Sequence, residues 1–378
     1  LVPFGTFDEQ NSGIFDDTSA FTQDIAGNIW IGTYNGLYRF DELTRSHLNI
    51  NDSNFFAPIQ DQRVMTIASK NLELWLGFRK NGVQILNTET GKVTTPAIPQ
   101  AHNLEVTKIL HTNDNRTWLA TDNRGVFSIV DGNVTSYLDK NLLPEASITI
   151  LFELDSGILL ASSEKNIYQY DKTRNRFDTL KLNFNNNNQP PLILSLSQST
   201  AGDIWIGTKD QGLFIWPVEH QKTNNYDLLP VSTDSEVPSF TIYAIEFDQQ
   251  GNAWCSTQQG IIKLDKSGKL LARFTSADGL QGDDFNFGAS FVDSQGRMYF
   301  GGSNGYSRFT PEEVEIQTSP PRLLLNSIEI SRQGELFSYD ATDLQTLELT
   351  HQDQYVKFNF GVLDFLNPEK NQYRYKVC

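Results

Sequence analysis

The sequence predicts an all-β protein, a seven-bladed β-propeller followed by an incomplete, immunoglobulin-like β-sandwich segment. Three observations lead to this fold class. A short motif recurs seven times at intervals of 41 to 49 residues, aromatic residues make up 12% of the 378 residues, and 26 glycines supply frequent turns. Aromatic residues and turn glycines are typical of proteins built from many short strands. A repeat of about 40–50 residues that holds four strands indicates a propeller blade.

The motif is clearest in two near copies, NIWIGTYNGLYRF from Asn28 and DIWIGTKDQGLFIW from Asp203. In each copy an apolar strand leads through a turn of Gly, Asn and Asp to the WIGT strand, a short loop and two further strands. One such sheet cannot bury both of its faces, so each is predicted to pack against the next blade. The fourth copy lacks both Trp and Gly. Aligned on the first letter of WIGT, the copies start at Trp30, Trp75, Trp118, Leu159, Trp205, Trp254 and Tyr299.

We predict that residues 1–317 form the propeller and that residues 318–378 begin the sandwich. The last copy has no clear outer strand after it, and residues 1–7 precede the first inner strand without a partner. We therefore expect residues 1–7 to supply the outer strand of the seventh blade and to close the ring. Pro320 and Pro321 predict a stiff extended connector. Residues 323–330 and 355–360 are predicted strands of the truncated sandwich.

Composition excludes several classes of function. The 46 acidic and 30 basic residues give a formal net charge of −16, which argues against nucleic acids and anionic membrane surfaces as partners. No run of 18 apolar residues occurs, residues 1–5 do not form a signal peptide, and the first residue is not Met. We expect a piece of a longer protein, with any targeting sequence lying outside it. Cys255 lies in a strand pattern and is expected to be a buried thiol.

Motifs of catalysis are not found in the sequence. The five histidines have no metal-site spacing, and neither a nucleophile elbow nor a phosphate-binding loop occurs. The carboxylates of the DNRG and DSQG segments are expected to be turn residues rather than catalytic groups. The sequence therefore predicts no catalytic residue, no metal ligand and no cofactor in this fragment.

The loops that follow the WIGT strands form the candidate binding site. They share one end of a propeller ring, where ligands commonly bind at the mouth of the central channel. They hold five cations and three anions, a local excess of positive charge. Asn, Gln and Arg suit the hydroxyls and acidic groups of an oligosaccharide. Any one of these residues is better explained as part of a solvated hairpin tip, whereas the face as a whole favours a binding site. Arg63 and Asn286, near the starts of inner strands, are further candidates. The full set of candidates is Tyr34, Arg63, Arg79, Lys80, Arg124, Lys209, Asn286 and Asn304.

Several segments of the sequence also resemble a known protein family. The segment GNIWIGTYNGLYRFD resembles the two-component regulator propeller repeat, and residues 274–314 resemble the final blade of that family. Residues 356–377 resemble the opening of the triple-tyrosine domain that usually follows, with Tyr373 and Tyr375 matching. The chain departs from the family in its fourth copy and in showing one ring where many relatives carry two.

The resemblance implies the periplasmic sensing region of an inner-membrane protein with a histidine kinase output, frequently fused to a response regulator. It also implies a homodimer, a small polar ligand such as an oligosaccharide, and contact with the membrane only through a segment outside this chain. Three alternatives stay open at this point. They are the sensor region of a diguanylate cyclase, a propeller glycosidase or lyase acting on carbohydrate, and a platform that binds other proteins.

Overall fold

The structure, a computed structural model, describes residues 4–7, 17–59, 63–98, 103–139, 141–184, 191–231, 241–314, 323–340 and 346–362. The chain divides into two compact units, Leu1–Glu315 and Ile316–Cys378. Within the described residues, the first unit holds seven four-stranded antiparallel sheets and the second holds one three-stranded sheet. The all-β fold is thus confirmed.

The first unit is a seven-bladed propeller. Strand β1 (Gly5–Phe7) belongs to blade 7, and in blades 1 to 6 the four strands lie side by side in chain order. Blades 1 to 3 comprise β2 (Thr18–Gln23), β3 (Ile29–Thr33), β4 (Gly36–Asp41), β5 (Ser46–Asn49), β6 (Val64–Lys70), β7 (Glu73–Phe78), β8 (Val83–Asn87), β9 (Val93–Thr94), β10 (Val106–His111), β11 (Thr117–Thr121), β12 (Val126–Val130) and β13 (Asn133–Ser136).

Blades 4 to 7 repeat this arrangement. The degenerate fourth copy still forms a full blade, in which Leu159 takes the place of the tryptophan and is 3% exposed. The strands are β14 (Ile150–Glu153), β15 (Leu159–Ser162), β16 (Ile167–Asp171), β17 (Arg176–Leu180), β18 (Ile193–Gln198), β19 (Ile204–Thr208), β20 (Leu213–Trp216), β21 (Leu229–Pro230), β22 (Ile242–Phe247), β23 (Ala253–Thr257), β24 (Gly260–Leu264), β25 (Leu270–Phe274), β26 (Phe285–Val292), β27 (Met298–Gly302) and β28 (Gly305–Phe309).

Helical turns are short and lie outside the sheets. The α-helix α1 (Val218–Lys222) connects the third and fourth strands of blade 5, a feature that the repeat pattern did not predict. In the described part of the first unit, three 3₁₀ turns lie at Ile50–Asp52, Ser276–Asp278 and Pro311–Glu313. Among the described residues, no helix is long and apolar enough to cross a membrane.

The N-terminal strand closes the ring, as predicted. Strand β1 pairs antiparallel with β28, and Phe7 lies opposite Tyr306. The inner strand of blade 7, β26, also contacts the inner strand of blade 1, β2. The two ends of the first unit are therefore joined both by a shared sheet and by neighbouring inner strands.

The tryptophan of each motif packs against the next blade. Trp30 lies in an apolar cluster with Val64 and Leu76 of blade 2, and Trp205 lies in a cluster with Ile242 of blade 6. A buried Trp removes about 150–250 Å² from water, which is worth about 4–6 kcal/mol at about 25 cal/mol per Å². The core is therefore divided among the clefts between blades, and each blade depends on its neighbour.

The glycine of WIGT is required by space. A Cβ atom on Gly32 would lie 2.8 Å from Cγ1 of Val64, and one on Gly301 would lie 2.6 Å from the backbone oxygen of Thr18. Both neighbours belong to the inner strand of the next blade, so a side chain at this position would push two blades apart. The blades without this glycine carry other small residues here, Ala120, Ala161 and Ser256.

A buried carboxylate closes the turn after the inner strand. In blade 1, Asp24 Oδ1 accepts a hydrogen bond from the backbone N–H of Asn28 (2.9 Å) and Oδ2 accepts one from Trp30 Nε1 (2.8 Å). This bond satisfies the indole N–H in an otherwise apolar cleft. The turn role expected for the DSQG carboxylate is confirmed, since the equivalent bonds join Trp254 to Asp248 (3.1 Å) and Tyr299 to Asp293 (3.0 Å).

The second unit is an antiparallel sheet of β29 (Leu323–Arg332), β30 (Glu335–Asp340) and β31 (Asp353–Val362), with β29 in the middle. Two of these strands cover the predicted segments 323–330 and 355–360. Several large apolar side chains of this sheet are exposed, among them Leu336 at 61% and Phe358 at 54%. Pro320, Pro321, Tyr373 and Tyr375 lie outside the described residues, so the connector and the triple-tyrosine match stay predictions.

Candidate ligand-binding site

The seven loops that follow the second strands lie at one end of the ring, which we call the loop face. Each loop contacts the segment that leads into an inner strand. The backbone N–H of Gly82 donates to Leu104 (3.1 Å), and that of Gly260 donates to Asp283 (2.8 Å). These hydrogen bonds join a loop of one blade to the next blade. The backbone that carries the side chains around the mouth of the channel is therefore fixed by contacts between blades.

A cavity of about 810 Å³ occupies the central channel and is lined by the inner strands of all seven blades. Hydroxyl, carboxylate and aromatic side chains lie together on its wall. Two of the eight candidate residues, Tyr34 and Asn286, line this cavity. The cavity is large enough for a small polar ligand, since ligand sites in proteins usually measure about 300–1,000 Å³.

Tyr34 and Arg63 are brought together by neighbouring blades. Tyr34 follows β3 in blade 1, and Arg63 immediately precedes β6 in blade 2. The Arg63 guanidinium lies 3.7 Å from the centroid of the Tyr34 ring, which is a close cation–π contact. The backbone N–H of Tyr34 donates to Asp17 (3.1 Å). The ring is thus fixed at the mouth by contacts on both its backbone and its face.

Asn286 lies on an enlarged bulge of the blade 7 inner strand. Between the pairs Phe285–Gly302 and Ser290–Phe300, β26 contains three more residues than β27, whereas the bulges of other inner strands contain one more. The Asn286 Nδ2 atom donates to the backbone oxygen of Thr18 in blade 1 (2.9 Å). The bulge is therefore held against the neighbouring blade.

The same bulge brings Phe287 to the wall of the cavity, with 41% of its surface exposed. The sequence analysis missed this residue because alternation along a regular strand does not predict it. The sequence signal that could have indicated this bulge is Gly288, because a glycine inside a strand pattern is typical of a bulge. In the structure Gly288 adopts a left-handed conformation with a φ of +64°.

The other candidates lie on the rim of the loop face, outside the cavity wall. Arg79 is exposed and its Nε lies 3.9 Å from Glu105, and Lys80 and Lys209 are exposed. Arg124 is half-buried, and its backbone N–H donates to Thr121 Oγ1 (3.0 Å). Asn304 contacts Gln281 through its backbone N–H (3.3 Å). The cations counted in the loops therefore surround the mouth but do not form the lining.

The lining is acidic instead. In the described part of the chain, the lining holds one ammonium, of Lys108, and four carboxylates, those of Glu105, Asp122, Glu246 and Asp284. Only Asp122 belongs to the loops counted from the sequence; the others lie in inner strands or in the segments before them. These carboxylates share the cavity wall because the seven inner strands converge on the channel, which the sequence alone does not show. Among the described residues, no group of three or more His, Cys, Asp and Glu side chains is arranged to hold a metal ion.

Deeper in the channel, Lys108 of β10, Glu246 of β22 and Ser290 of β26 form a group that we call the channel waist. Ser290 Oγ donates to Glu246 Oε1 at 2.6 Å. Burial lowers the pKa of Lys108 and raises the pKa of Glu246, and each is partly offset by the charge of the other. At the mouth, burial raises the pKa of Tyr243, and the carboxylates of Asp284 and Asp210 act in the same direction.

Comparison with known proteins gives the same architecture. No protein-family model matches the chain. The chain is 21% identical over 386 residues to histidine kinase P4 of Formosa agariphila, a match that covers 98% of this chain and 25% of that protein.

The extracellular domain of a hybrid two-component system, BT3049 of B. thetaiotaomicron, superposes with a TM-score of 0.78 at 21% identity, over 95% of this chain and 48% of that one. Virginiamycin B lyase from Staphylococcus aureus superposes with a TM-score of 0.59 at 13% identity, over 81% of this chain and 98% of that one. At these identities the structural likenesses establish the fold. The chain spans about a quarter of its curated relative and about half of the BT3049 chain.

Proposed function

We propose that this chain is the extracytoplasmic ligand-sensing region of a membrane-bound two-component sensor of the hybrid histidine kinase type. The observation that carries the proposal is the likeness along almost the whole chain, in sequence to a histidine kinase and in structure to the extracellular domain of a hybrid two-component system. The match covers both units, not the propeller alone. A periplasmic location follows from this role.

The ligand is a small polar molecule, an oligosaccharide, bound at the mouth of the channel. Three features of the cavity support this class. Its volume of about 810 Å³ suits several sugar units, its wall is rich in hydroxyl and carboxylate groups, and the rings of Tyr34, Tyr243 and Phe287 lie among them. Sugars are bound by hydrogen bonds to their hydroxyls and by aromatic contacts with their apolar faces.

Signal transmission requires that the ligand binds two states of the sensor with different affinity. We propose that these states are two arrangements of a homodimer and that the second unit transmits the change toward the membrane. The output domain lies outside this chain. A diguanylate cyclase output is the alternative with the same sensing region, and the comparisons favour the kinase because the curated relative is one.

A thermal-shift screen of trisaccharides on the purified chain tests the binding role. A ligand present at 100 times its dissociation constant stabilises the folded state by about 2.7 kcal/mol. We expect at least one trisaccharide to raise the melting temperature without being consumed, as followed by chromatography. Turnover would favour a propeller enzyme, and a chain that no saccharide stabilises would contradict the proposed ligand class.

A further inference from the structure

The channel waist lies well below the mouth. Inner strands enter from the loop face, and Lys108 and Glu246 each come three residues after a residue of the mouth, Glu105 and Tyr243. A strand advances about 3.3 Å per residue, so the waist lies roughly 10 Å inside the channel. Both side chains line the same cavity as the mouth. A ligand that enters from the loop face reaches them.

The two charges of the waist face one another without forming an ion pair. Lys108 belongs to blade 3 and Glu246 to blade 6, which lie on opposite sides of a seven-bladed ring. Among the described residues, the Lys108 ammonium has neither a hydrogen bond nor a salt bridge. Glu246 accepts its hydrogen bond from Ser290 through one oxygen, Oε1.

Lys108 is half-buried on the wall of the channel, and burial lowers its pKa, so its ammonium is less well solvated there than in bulk water. A group with both hydrogen-bond acceptors and donors would satisfy this ammonium and the Glu246 carboxylate together. The vicinal hydroxyls of a sugar are such a group, because each hydroxyl both donates and accepts. A hydroxyl oxygen accepts from Lys108 while a neighbouring hydroxyl donates to Glu246.

We propose that Lys108 and Glu246 form the inner subsite of the binding site and hold one sugar unit of a neutral oligosaccharide. This inference rests on the proposed function and adds the position and the charge class of the ligand. Among the described residues, the wall of the cavity carries the carboxylates of Glu105, Asp122 and Asp284 in addition to Glu246, against the one ammonium of Lys108. An acidic sugar would be repelled by this excess, whereas a neutral sugar donates its hydroxyls to the same carboxylates.

Phe287 supplies the apolar contact of this site. Its ring is 41% exposed although it lies on the wall of a channel, and the bulge that carries it is anchored by Asn286. An aromatic face pairs with the C–H face of a pyranose ring without adding charge. The bulge therefore gives the channel one hydrophobic wall between the acidic mouth and the waist.

The test compares three single substitutions in the purified chain, Lys108→Met, Glu246→Gln and the control Lys266→Met. Lys266 is an exposed lysine in the turn between β24 and β25, outside the loop face and the cavity wall, and its substitution removes one positive charge, as Lys108→Met does. The probes are neutral trisaccharides (xylotriose, mannotriose, laminaritriose and chitotriose) and one acidic trisaccharide, tri-galacturonate. Affinities are measured by isothermal titration calorimetry, and melting temperatures are recorded without ligand.

We expect a neutral trisaccharide to bind, Lys108→Met and Glu246→Gln each to weaken its binding at least tenfold, and Lys266→Met to leave its affinity unchanged. Melting temperatures without ligand show that each variant is folded. A neutral trisaccharide that binds both waist variants with full affinity would overturn this inference and leave the sensing role intact. Binding of tri-galacturonate alone would overturn the charge class, and binding of no saccharide would contradict the ligand class of the proposed function, on which this inference rests.

Discussion

Replacing Phe7 with alanine tests whether the N-terminal strand holds the ring closed. Phe7 is 2% exposed, and its ring centroid lies 4.8 Å from that of Tyr306 in blade 7 and 5.1 Å from that of Phe40 in blade 1. The Arg308 guanidinium lies 5.0 Å from the same ring. Removing a buried Phe leaves a cavity and costs about 3–5 kcal/mol. A typical domain is stable by about 5–15 kcal/mol, so this one substitution should remove a large share of the total.

The assay is urea unfolding followed by tryptophan fluorescence, which reports on the propeller because the six Trp residues lie in its blades. The Phe7→Ala variant should lose about 3–5 kcal/mol of unfolding free energy. Leu43→Ala is the control: Leu43 is 95% exposed, and its substitution should change the value by less than about 0.5 kcal/mol. A loss of less than about 1 kcal/mol in Phe7→Ala would show that the strand is not needed to close the ring.

Three further predictions address the repeat and a half-buried histidine. Asp24→Asn should cost about 2–3 kcal/mol in urea unfolding, because the carboxylate that accepts from Trp30 Nε1 at 2.8 Å is lost; an unchanged midpoint would contradict this. Gly301→Ala should cost about 1–3 kcal/mol, while Gly282→Ala, where an added Cβ meets no atom within 4 Å, serves as its control. Burial lowers the pKa of His111 to about 4. Because this value lies below that of an unfolded histidine, about 6.5, the stability from the neutral ring is complete above pH 6.5 and is lost as the pH falls toward 4, by at most about 3 kcal/mol. His111→Asn should flatten this part of the pH–stability curve, and equal slopes in both proteins would refute the assignment.

The architecture could be read from the repeat, and particular residues show why. Trp30 and its counterparts recur at the blade interval, and the small residue two positions later leaves room for the next inner strand. Local patterns of this kind are repeated seven times in phase, so one degenerate copy at Leu159 did not obscure them. The closing role of β1 followed from counting strands, since the last copy lacked its fourth.

The candidate site was predicted less completely. Tyr34 and Asn286 line the cavity, whereas Arg79, Lys80 and Lys209 lie on its rim. Each loop is a short run of neighbouring residues, so its charges can be counted from the sequence, and this count predicted a positive surface. The carboxylates of the wall come from inner strands and connecting segments, which a count of hairpin loops leaves out.

The sequence by itself determined the number of blades, the order of strands and the need for each sheet to be covered by its neighbour, because period, turn residues and apolar alternation are local properties. Only the tertiary structure decided which side chains share the channel. Lys108 and Glu246 are 138 positions apart in the chain and belong to blades on opposite sides of the ring. They face one another only because the ring closes. The electrostatic field that acts on both charges in the channel is therefore a property of the closed ring and not of any one blade.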